Sequence, residues 1–144
     1  MASWADFEAE APDLAARVRE RLEAHKHKTI ATLRGDGSPR ISGTEVELRD
    51  GDLWIGSGWE ALKSRDLRRD PRFALHSGSD EPDDWSGDAK LAGVAHESGS
   101  EEGKAHHFRL ELEEVSTVEL DDARTHLVIR VWTPERGVRT LTRY

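Results

Sequence analysis

The chain has 144 residues, no cysteine and a net charge of -8, with 35% of its residues charged. That length suits one domain with a buried core, and the absence of cysteine excludes disulfides and thiolate metal sites. The acidity argues against broad nucleic-acid binding, which needs a basic footprint, and no apolar run approaches the roughly 18 residues of a membrane helix.

The acidic N-terminus MASWADFEAE lacks the basic and apolar regions of a signal peptide, so a cytoplasmic location is expected. Residues 1–10 read as a loose or docking arm. Pro12-Asp13 starts a helix expected to run to about His27, with Leu14, Val18 and Leu22 forming one apolar stripe. Lys28 to Arg34 is a strand, Gly35-Asp36-Gly37-Ser38 a hairpin turn, and Pro39 to Leu48 a second strand. Gly43 inside that strand suggests a bulge or a close backbone approach. After the turn at Asp50-Gly51, Leu53-Trp54-Ile55 reads as a buried strand. Gly56-Ser57-Gly58 then reads as a turn whose Ser caps a helix from Trp59 to Arg69, and Pro71 stops it.

This helix carries Lys63, Arg65, Arg68 and Arg69, with Arg72 just beyond. A basic island on an acidic protein fits a small anionic ligand better than a polyanion. The unpaired N–H groups and positive end of a helix N-terminus favour a phosphate in the same place. Arg72 to His76 and Ala89 to Glu97 are further strands, separated by an acidic loop holding Trp85, which is expected to pack on its own domain. From His106 to Glu113 the alternation is clean, with His106, Phe108, Leu110 and Leu112 on one face. It slips at Glu114-Val115, which suggests a bulge. His126 to Trp132 and Val138 to Tyr144 complete seven or eight strands. His25 and His27, like the adjacent His106 and His107, read as ordinary helix-end and strand histidines, so no metal site is expected. No nucleophile-elbow pattern is present, and no catalytic residue is identified.

Three pieces in this order resemble the pyridoxamine 5'-phosphate oxidase-like family of FMN-binding split barrels. They are Asp36-Gly37-Ser38-Pro39, then Asp50-Gly51-Asp52-Leu53-Trp54-Ile55, then Lys63…Asp66-Leu67…Asp70-Pro71-Arg72-Phe73. The resemblance runs from about Leu14 to Leu141. It implies a mainly β fold with flanking α, a split antiparallel β-barrel with two main helices. It implies a homodimer with FMN, or the deazaflavin F420, in a groove between subunits, and hydride transfer to or from a small molecule. Lys63 would hold the cofactor phosphate, supported by Ser57. Arg40, Ser42 and Thr44 would face the ring system, Trp132 would be offered from the other subunit, and Arg139 would lie near the substrate. Leu62 stands where many FMN-binding members have an Arg before the Lys, and Arg65 is the expected substitute. No complete pyridoxamine-phosphate recognition set is present, so that specific oxidase activity is not expected. An F420-dependent reductase is the alternative within the fold; a non-catalytic ligand-binding or cofactor-lost protein is the alternative outside catalysis.

Overall fold

The computed structural model describes residues 1–144. The elements are α1 (Trp4–Glu10), α2 (Pro12–Ala24), β1 (Lys28–Leu33), β2 (Pro39–Thr44), β3 (Glu47–Arg49), β4 (Asp52–Gly58), α3 (Leu62–Arg69), β5 (Arg72–His76), β6 (Gly87–Glu97), β7 (Ala105–Leu120), β8 (Leu127–Thr133) and β9 (Gly137–Arg143). The strands run in the order β2-β1-β5-β6-β7-β4-β3, with β8 beside β7 and β9 beside β8. Every pairing is antiparallel. This is a split barrel whose ladder does not close, so β2 and β3 keep free edges.

The 16-residue β7 organises the sheet. Its first half pairs with β4 and its second half with β8, while β6 runs along the other edge. As expected, His106, Phe108, Leu110 and Leu112 share the buried face. The slip in alternation falls at Glu113, the extra residue opposite the Ala92/Gly93 step of β6. Gly93 is required there, because a Cβ at this position would lie 1.8 Å from the Glu111 carbonyl oxygen.

The structure corrects several expectations. Of the two readings of residues 1–10, the docking arm holds and the loose arm does not. Ser3 and Asp6 form a reciprocal capping box that starts α1, and Trp4 and Phe7 bury their rings. There are therefore three helices rather than two, and nine strands rather than seven or eight. Helix α2 stops at Ala24, short of His27, because His25 adopts an extended backbone. The Leu14, Val18 and Leu22 stripe packs into a single core cluster of 22 buried residues. The long second strand breaks after Thr44 into β2 and β3. Gly43 stays in register opposite Thr29, so no bulge forms there.

The Gly56-Ser57-Gly58 stretch is strand, not turn. Its three residues pair with His107, His106 and Ala105 of β7. A flexible sequence takes the ladder that its neighbour offers, and Trp59 secures it by stacking on His106 at 4.2 Å. The turn moves on to residues 59–61, where Glu60 takes φ 59°. Helix α3 then begins at Leu62 behind Ala61, with no side-chain cap, so Ser57 does not cap it.

Candidate functional site

Strand β2 and helix α3 meet across a cavity of about 420 Å³ lined by Arg34, Arg40, Ile41, Ser42, Ala61, Leu62 and Lys63. The hairpin between β1 and β2 folds Arg34 back beside Arg40, through the bond from Arg34 N–H to the Ser38 carbonyl. Arg34 donates further to the Pro39 carbonyl at 2.6 Å and weakly to the Ser38 hydroxyl. Lys63 donates to the Gly43 carbonyl at 2.7 Å. Neither cation has a carboxylate partner within ion-pair distance. Burial holds the Lys63 ammonium below the usual lysine range, with no neighbouring charge to restore it.

Arg40 is held differently. Its Nε–H donates to Asp66 Oδ2 at 2.8 Å, and Asp66 also accepts from Thr32 at 2.7 Å and from Arg69 at 3.0 Å. Burial alone would raise the Asp66 carboxyl. The bonds from Arg40, Thr32 and Arg69, with the Arg40 charge, outweigh it and hold the group below the usual range. Ile41 and Leu62 leave apolar side chains 74% and 55% exposed at the rim. The cavity thus offers three cationic groups, a hydroxyl and apolar walls, which can bind a phosphate-bearing molecule with an apolar body.

The rest of the basic island is neutralised on other faces. Arg65 pairs with Glu60 at 3.3 Å and does not line the Lys63 cavity. Arg68 pairs with Glu97 at 2.9 Å and reaches Glu60 at 3.7 Å. Arg72 is bound to Asp70, whose carboxyl is lowered to about 2, mainly by the Arg72 side-chain bond. Glu60 and Glu97 also flank the buried His106 ring, at 3.6 Å from Nε2 and 2.6 Å from Nδ1.

Among the residues singled out in the sequence, Arg40, Ser42 and Lys63 come together. Thr44 is buried, and its hydroxyl bonds the Glu45 carbonyl. Ser57 lines a second, larger cavity of about 590 Å³ with Glu45, Glu47, Trp54 and His107. That cavity is lined by two carboxylates and one guanidinium, Arg49, so it lacks the excess of positive charge found around Lys63. Trp132 cannot be offered to a second subunit, because it is 0% exposed and packs on Phe7 at a ring distance of 4.8 Å. Alternation along β8 turns Trp132 and Arg130 inward; Val131, paired with Arg139 of β9, faces the other way. Arg139 is exposed on the C-terminal hairpin and does not line the Lys63 cavity. Two residues of the site were not anticipated. Arg34 immediately follows β1, and Asp66, which the sequence marks only as part of a motif, follows Lys63 by three residues, about one helical turn on.

No family model matches the chain, and no curated protein matches it. Solved structures do. A pyridoxamine 5'-phosphate oxidase-related, FMN-binding protein from Nostoc punctiforme aligns with TM-score 0.66 and 10% identity, over 90% of this chain and 94% of the other. A heme-binding protein from Mycobacterium smegmatis aligns with TM-score 0.62 and 19% identity, over 92% and 88%. A putative pyridoxamine 5'-phosphate oxidase from Listeria innocua aligns with TM-score 0.57 and 21% identity, over 69% and 94%. At these identities the likeness shows the fold. The chain has the split-barrel fold of the pyridoxamine 5'-phosphate oxidase-like proteins, the group its motifs resemble.

Proposed function

We propose that the protein is an FMN-dependent oxidoreductase of the pyridoxamine 5'-phosphate oxidase-like family, acting on a small apolar or aromatic molecule. The observation that carries this is Lys63, a half-buried cation with no carboxylate partner, set with Arg34 and Arg40 around a cavity that no carboxylate lines. A flavin phosphate carries close to two charges and supplies the partner these cations lack. Lys63, Arg34 and Arg40 bind the phosphate, and Ser42 adds a hydroxyl. Ser57, in the larger cavity, is left for the ring end. A bound flavin supplies hydride transfer; the chain supplies position and electrostatics.

The distribution of charge favours FMN over F420. The wider island that a longer anionic tail would use is tied up, since Arg65, Arg68 and Arg72 each hold a carboxylate. None of the residues lining the Lys63 cavity is a His, Cys, Met or Tyr that could ligate iron, whereas His107 lines the Ser57 cavity, so heme belongs among the cofactors to be titrated.

The proposal includes a homodimer formed through the outer face of the sheet. Ala31, Ile41, Ala74 and Ala92 line an apolar depression of about 340 Å³ there. Lys90 and Glu114 lie at its margin with no ion-pair partner in the chain. A two-fold copy would pair Lys90 of one chain with Glu114 of the other. Separate titrations of the purified protein with FMN, F420 and heme, followed by cofactor absorbance and tryptophan fluorescence, test the assignment. Micromolar or tighter FMN binding supports it. Preference for F420 or heme, or binding of none, overturns it.

A further inference from the structure

We propose that Asp66 is a positioning residue for anion binding, holding Arg40 by one edge so that the other edge of the guanidinium meets a phosphate. This rests on the phosphate-groove reading and deepens it. Arg40 Nε–H is bound to Asp66 Oδ2 at 2.8 Å, while its two terminal nitrogens carry no bond to the protein. The Asp66 side chain is 3% exposed and that of Arg40 is 21%, so the carboxylate lies behind the guanidinium and the cavity in front of it.

A guanidinium has five N–H donors in a fixed plane. Holding the Nε edge leaves the terminal N–H groups as a fork suited to two phosphate oxygens. An untethered arginine would lose considerable side-chain entropy on binding; here part of that ordering precedes the ligand. Thr32 donates to the same Asp66 oxygen as Arg40, and Arg69 donates to the other, so both oxygens are bonded without drawing the terminal edge of Arg40 inward. Asp66 follows Lys63 by one helical turn. One short helix thus supplies both a cation for the anion and the brace for a second cation on β2.

Asp66 also ties α3 to β1, so loss of affinity alone would not separate positioning from stability. A double-mutant cycle does. Asp66→Asn is expected to weaken FMN binding about 10-fold, the scale of a lost charge-assisted hydrogen bond. In an Arg40→Gln background it is expected to have no further effect. Combined with Lys63→Ala, the losses are expected to multiply. Equal losses with and without Arg40, or a change within about twofold, overturn the proposal. Should Asp66→Asn not fold, Thr32→Val removes one donor to the same oxygen, and a smaller loss that vanishes with Arg40→Gln is expected. Without ligand, the Arg40 Nε–H signal in a ¹⁵N spectrum is expected to be slow to exchange in the wild type and fast in Asp66→Asn. A fast signal in the wild type refutes the brace even where FMN binds. A slow signal with no FMN binding refutes the phosphate reading instead.

Discussion

Lys63 is a half-buried cation whose hydrogen-bond partner is a neutral carbonyl, and Arg34 beside it is exposed and likewise bound to carbonyl oxygen; Lys63 is the main source of the expected ligand affinity. Lys63→Ala is expected to weaken FMN binding about 10-fold or more, and Arg65→Ala to leave it within about twofold, by equilibrium titration. A reversal of those effects would return the phosphate to the other face of α3. Gly93→Ala is expected to cost about 3 kcal/mol or more in urea denaturation, because the added methyl collides with backbone rather than with a movable side chain. Carboxylates set the response to acid. Asp66 titrates below its usual range for the reasons given, and so does Glu97, through the Ser100 hydroxyl bond first and then His106 and Arg68, against burial. A depressed carboxylate stabilises the fold above its unfolded value of about 4 and loses that contribution as pH falls through the lower folded value. Stability measured from pH 5 to 2 is expected to drop in this window, and to drop less steeply in Asp66→Asn. An unchanged slope would mean that Asp66 contributes no such linkage.

Elements were legible where pattern and partner agreed. The α2 stripe, the hairpins at Gly35–Ser38 and Asp50–Gly51, and the buried face of β7 all follow from local periodicity, and each was read correctly. Local reading failed where a distant partner decided. Gly56–Gly58 looks like a turn until β7 is laid beside it. Trp132 looks available until Phe7 is placed on it, and Phe7 belongs to a segment too short and acidic to announce a helix. The same limit applies to the site. Arg40, Ser42 and Lys63 could be grouped by family resemblance, whereas Arg34 needs the hairpin closed and Asp66 needs α3 set against β1. The docking of α1 carries its own expectation. Phe7→Ala removes a buried ring wedged between Trp4 and Trp132. It is expected to destabilise the protein by about 3–5 kcal/mol in thermal or urea unfolding. A loss under about 1 kcal/mol would mean that α1 is detachable.

For the molecule as a whole, the split barrel covers its inner face with α1, α2 and α3 and leaves its outer face apolar around Ala31, Ala74 and Ala92. No helix is long and apolar enough to cross a membrane. Ala74→Glu, a charge at the centre of that outer face, is expected to convert a dimer to a monomer in light scattering without unfolding it. A wild-type monomer at high concentration would contradict the dimer. The claim on which function turns is the place of the phosphate, and a crystal structure with FMN bound tests it most directly. The expected result is a phosphate held by Lys63, Arg34 and the terminal nitrogens of Arg40. A phosphate among Trp54, Ser57 and His107 in the larger cavity, or a groove that stays empty at saturating FMN, would contradict the account.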